Sequence, residues 1–142
     1  MKLPSKQLQT AYYSALNGNI SYGGNVVPVY DVVPEDASYP YIVLADQIVT
    51  DRPSTKDTYM TDILMQVDVV TGFEGAYGGK SMMYDISDDV VNIIRTRAPY
   101  LSVTGFNLFK STLDIASLIT QQTDTHILYI NRIRFRHLIE EL

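Results

Sequence analysis

"YMTDILMQVDVV", residues 59–70, is the stretch on which the fold turns. Tyr59, Thr61, Ile63, Met65, Val67 and Val69 lie on one side of an extended chain. Met60, Asp62, Leu64, Gln66, Asp68 and Val70 lie on the other. Strand side chains alternate, so one side is apolar and the other mixed. That is the pattern of a half-buried strand in an antiparallel sheet.

Upstream, residues 50–58 ("TDRPSTKDT") are polar, charged and interrupted by Pro53, which predicts an exposed loop. Its Arg52, Lys56 and Asp57 are candidate interface residues. "YPYIVLADQIV", residues 39–49, reads as a second strand with two fairly apolar faces. "VVPVYDVVP", residues 26–34, reads as a third, placed at an edge or bulged because Pro28 has no N–H for a ladder. Before a glycine break at Gly23 and Gly24, Pro4-Ser5 opens a helix. Leu8, Ala11, Tyr12, Ala15 and Leu16 share one face of it, and Gly18 supplies a stop.

Downstream, the glycine-dense "GFEGAYGGKS" (residues 72–81) leads into a helix expected over residues 80–97. Met83, Ile86, Val90, Ile93 and Ile94 form its apolar stripe, and Arg95 and Arg97 suit its C-terminal end. Residues 101–103, 106–119 and 126–139 read as strands, the last two joined by the turn "QQTDT". This order predicts a single α+β domain over residues 1–142. It has a mostly antiparallel sheet, two helices packed on one face and a long C-terminal hairpin.

Composition narrows the function classes. The 142 residues carry a net charge of −5 with a pI near 4.8. A general binder of nucleic acid or anionic membrane would carry excess Lys and Arg instead. Without cysteine, disulfides and thiolate metal sites are excluded. "MKLPSKQLQT" lacks the apolar centre of a signal peptide, and no run approaches the ~20 apolar residues of a membrane span. The chain therefore reads as one made and used in solution inside the cell.

Gly-Lys-Ser at residues 79–81 raises the question of a phosphate-binding loop. Such a loop needs Gly, four residues, then Gly-Lys-Ser/Thr, so that backbone N–H groups curl around the phosphates. The required first glycine falls at Glu74, and Gly75 leaves the loop one residue short. A carboxylate there repels phosphate, and the preceding strand alternates rather than being apolar on both sides. Gly75, Gly78, Gly79, Lys80 and Ser81 stay the weak candidates for an alternative function, a small phosphate- or nucleotide-binding protein. The plainer reading is a strand-to-helix connection whose glycines permit positive φ.

Other chemistries find less support. His126 and His137 are eleven residues apart on one strand and point to opposite faces, ~36 Å apart if extended, so they cannot share a metal. Both are expected to be partly exposed. Asp85, Asp88 and Asp89 share a helix face that reads as solvated, because a hard cation needs oxygen ligands from further elements. No Gly-x-Ser-x-Gly is present. No catalytic, metal or cofactor residue is assigned. One charge feature stands out: Arg132, Arg134 and Arg136 alternate along the last strand, opposite Tyr129, Ile133, Phe135 and Ile139. A one-sided basic stripe in an acidic chain calls for acidic partners: carboxylates of its own chain, another subunit, another protein or a nucleic-acid backbone.

Several phrases, taken in order, resemble the tail completion and tail terminator proteins of long-tailed bacteriophages. "LQTAYYSALNG" resembles the opening helix of that family. Val29-Tyr30-Asp31 followed by Pro40-Tyr41-Ile42 resembles its most recognisable segment. "ILMQVDVVTGFEGAYGGKSMMYDISDDVVNII" is similar to its strand, glycine-bearing loop and helix. "HILYINRIRFRHLIEE" is similar to its last strand, where arginine and aromatic residues alternate. The resemblance implies a structural virion protein without enzymatic activity or cofactor, assembled in the host cytoplasm into a homo-oligomeric ring, commonly a hexamer. It implies as partners the tail tube protein and a head–tail connector or neck protein. Genomic DNA would pass through the lumen without specific binding, which an acidic balance suits because it does not hold phosphates.

Overall fold

The computed structural model describes residues 1–52, 57–75, 78–97 and 101–142. Helix α1 (Ser5–Leu16) is followed by a two-residue hairpin, β1 (Ser21–Tyr22) and β2 (Asn25–Val26). Then come β3 (Val29–Tyr30), β4 (Tyr41–Arg52), β5 (Met60–Glu74), α2 (Ser81–Ile94), β6 (Phe106–Gln122) and β7 (His126–Glu141). The main sheet has the order β3-β4-β5-β7-β6. Its β4/β5, β5/β7 and β7/β6 pairs are antiparallel, and the short β3 joins β4 in parallel.

The alternation in β5 decides which side is dry. Thr61, Ile63, Met65, Val67 and Val69 are buried, and so are Ile133, Phe135, His137 and Ile139 of the neighbouring β7. Both helices close over this face. Helix α1 contributes Leu8, Ala11, Tyr12 and Leu16, and α2 contributes Met83, Ile86, Val90 and Ile94. The architecture is the expected α+β arrangement with a long C-terminal hairpin.

Details differ, each for a physical reason. The strand expected over residues 26–34 is two separate dipeptides. Pro28 sits between them without an N–H, its carbonyl instead accepting from the Ile42 N–H at 2.9 Å. β4 runs on to Arg52, so residues 50–52 are strand rather than loop; residues 53–56 lie outside the described residues. α2 stops at Ile94, with Arg95 and Arg97 beyond it. Residues 101–103 form no strand.

His137 corrects a further expectation: it is wholly buried. Its Nδ1 lies 2.8 Å from the Ser111 hydroxyl, and its Nε2 is hydrogen-bonded to the Tyr12 hydroxyl. A neutral imidazole has one donor and one acceptor nitrogen, and two hydroxyls satisfy both. The bonds tie α1, β6 and β7 together within the apolar layer. Burial holds the imidazole pKa down to about 4.

Gly72 marks a second tight place. It lies on the face away from the helices, under the ring of Tyr39, which stacks on Tyr41 and also meets His126. A Cβ there would sit 2.6 Å from Tyr39 Cδ2 and 2.9 Å from Leu128 Cδ2. Gly72→Ala is expected to destabilise the fold by about 1–3 kcal/mol, read as a lowered urea midpoint with unchanged slope. An unchanged midpoint would show that the tyrosine cluster yields freely.

The histidine supplies a pH prediction. Unfolded, it titrates near ~6.5; folded, it does so at about 4. Between these values the unfolded chain binds a proton that the native state excludes. Stability is therefore lost as pH falls from about 6.5 towards 4, by about 3 kcal/mol in all, and levels off below. His137→Gln lacks this titration, so the difference in unfolding free energy between the two proteins should shrink with acid over that window. A constant difference from pH 7 to pH 4 would refute it.

Candidate functional site

Helices cover one face of the sheet, and the opposite face between the tyrosine cluster and the Arg52 end is open. Even-numbered residues of β5 and β7 point there. The register places Asp68 beside Arg132, Gln66 beside Arg134 and Leu64 beside Arg136. Beyond β7, Ser117, Ile115 and Thr112 of β6 stand next to the same three arginines. The arginine stripe thus stands on the outer face, as its period implies.

The three arginines differ in their surroundings. Arg136 is held within its own chain, with Nη1 3.2 Å from Asp62 Oδ2 and Nη2 3.6 Å from Asp114 Oδ1. With the guanidinium about half exposed (47%), such pairs contribute at most about 1 kcal/mol. Among the described residues, Arg132 and Arg134 form no ion pair. Arg134 borders a depression of about 370 Å³ with Asp46, Gln47, Ile48, Leu64 and Gln66. Burial pushes the Asp68 carboxyl above its usual range. The Gln66 amide, donating at 3.1 Å, and Arg132 work against that shift, and Asp46 adds to it.

Arg52 joins the stripe at its far end, bordering a shallow hollow of about 100 Å³ with Asp62, Lys110, Thr112, Arg136 and Leu138. Asp57 is exposed in the turn after it, apart from the arginines in sequence, and Lys56 lies outside the described residues. The acidic residues Asp46, Asp62 and Asp114 were not singled out by sequence reasoning. Asp62 and Asp68 already shared the polar face of residues 59–70. Only the β5/β7 register, a long-range property, sets them against arginines.

The glycine segment has structural employment. The Gly75 N–H donates to the Thr125 carbonyl at 2.9 Å, which ties the end of β5 to the β6–β7 turn. Gly78, at φ +98°, lies against the Phe73 ring so closely that a Cβ would be 2.3 Å from Cγ. Gly79, Lys80 and Ser81 are exposed where α2 begins, while Ala76 and Tyr77 lie outside the described residues.

A hollow of about 580 Å³ lies elsewhere, between the β1–β2 hairpin and residues 36–40. Its lining holds a single charged side chain, Asp36. Asp85, Asp88 and Asp89 are exposed on α2. Among the described residues no cluster of histidine and carboxylate groups is placed to hold a metal ion. No described helix is long and apolar enough to cross a membrane.

No family profile and no curated protein sequence matches the chain. Among solved structures, a chain in "Virion of native gene transfer agent (GTA) particle" is similar in fold, with a TM-score of 0.65 at 17% identity. The match covers 96% of this chain and 91% of that one, so the shared fold extends over essentially the whole domain.

Proposed function

We propose that this chain is a structural component of a phage-like virion. More narrowly, it acts as a tail terminator or tail completion protein, forming a ring at the head-proximal end of the tail and joining tail to head. The observation that carries the reading is the whole-length likeness to a chain of a gene transfer agent virion. The sequence phrases that resemble tail completion proteins point the same way independently. The outer face supports it physically: two arginines that form no ion pair among the described residues, several carboxylates and exposed apolar side chains together suit protein–protein contact.

In this reading the partners are further copies of the chain, six of them closing the ring, with the tail tube protein on one side and a connector or neck protein on the other. DNA passes through the lumen without specific binding, and the chain performs no chemistry of its own. Deleting the gene is expected to leave filled heads and separate tails of unregulated length, seen by electron microscopy. Normal infectious particles after deletion would overturn the proposal.

Arg134→Glu probes the stripe directly. The side chain lies on the outer face, so circular dichroism should stay unchanged, while ring formation by light scattering is expected to weaken at least about tenfold as like charges meet. Full-size rings from this variant would show that Arg134 is only solvated.

A further inference from the structure

We infer that the ring is held by edge-to-edge pairing, with β6 of one copy adding to the uncovered edge of β4 in the next copy. This deepens the ring reading above and rests on it.

Both edges are open. β6 is the last strand of the sheet, and among the described residues only one side of its 17-residue length is paired. Residues 113–117 are exposed on both faces. At the other end, β3 reaches only Ile42 and Val43 of β4. Among the described residues, no strand pairs with the outer edge of residues 44–52. Rows of unpaired N–H and C=O groups of this length are templates for another strand.

Strand direction identifies the occupant as a second copy. The four long strands run β4, β5, β7, β6, each antiparallel to the next. β4 and β6 therefore run in opposite directions. A copy moved sideways, without being turned over, brings its β4 antiparallel to β6 of the first. Its helices stay on the same side of the sheet. The repeat can then continue from copy to copy until it closes. Pairing β6 with β6 would stop at two copies and leave both β4 edges open.

Side chains agree with this arrangement. Ile48 on β4 is 53% exposed; on β6, Ile115 is 53% and Leu113 44% exposed. On β4, Asp46 and Asp51 outnumber Arg52; on β6, Lys110 is accompanied by Asp114, which pairs with Arg136, and Arg132 and Arg134 stand one strand behind. Two strand spacings, about 10 Å, would separate those arginines from the neighbour's β4, which an extended arginine side chain largely spans.

The absence of native cysteine makes a clean test. Hydrogen exchange would be compared in free and assembled wild-type protein. Ile48→Cys and Ile115→Cys would be made singly and together, and oxidised under assembly conditions. Exchange in β6 and in residues 44–52 is expected to slow at least about tenfold on assembly. The double variant should give a covalent ladder, and each single variant none. Rings that form without added protection in β6 overturn the edge pairing while leaving the ring reading intact. Dimers from Ile115→Cys alone would instead show β6 against β6 and also overturn it. Wild-type protein that stays a monomer at every concentration overturns both readings.

Discussion

The ladder between β5 and β7 runs from Met60 opposite Glu140 to Glu74 opposite His126 without a register shift. Everything else is arranged around it. Because strand side chains alternate, this one pairing decides that Ile63, Met65, Val67, Ile133 and Phe135 share a face while Gln66, Asp68, Arg132 and Arg134 share the other. A slip of one residue would carry the arginines under the helices and the isoleucines into water. Irregularity is confined to the flanks, where β4 shifts register between Leu44 and Gln47 and β6 shifts twice.

The helices lean on that ladder rather than standing alone. α1 has only twelve residues and no side-chain cap at its start, so its stability depends on tertiary packing. Leu8, Tyr12 and Leu16 supply the apolar contact, and the Tyr12–His137–Ser111 hydrogen bonds set its position over β6 and β7. A buried polar chain of this kind adds specificity of place more than net stability, since each group gives up bonds to water to make it.

The sequence made the centre of the sheet legible and the margins less so. Alternation in residues 59–70 and helical spacing in α1 and α2 are local signals, and the elements formed where those signals are strong. The segment around Pro28 failed as a strand because a single missing N–H outweighs the β-propensity of its valines. His137 was misjudged as partly exposed although its odd number places it with Phe135 and Ile139. Its two hydroxyl partners come from residues 12 and 111, and no local pattern announces them. The arginine stripe was visible from its period. What answers it was not: Asp62 and Asp114 reach Arg136 from different strands, so pairing had to be known first.

The register shifts in β6 have a bearing on how the chain escapes aggregation. Phe109 and Asp114 are the residues left over where β6 slips against β7, and Lys110 stands beside the first of them. A flat, uninterrupted strand at a sheet margin recruits any extended peptide, including misfolded neighbours, and nucleates insoluble material. Two bulges bend this margin, and a lysine and an aspartate placed at them set a desolvation cost on indiscriminate stacking. The chain can thus remain dispersed at modest concentration while still carrying an open sheet margin.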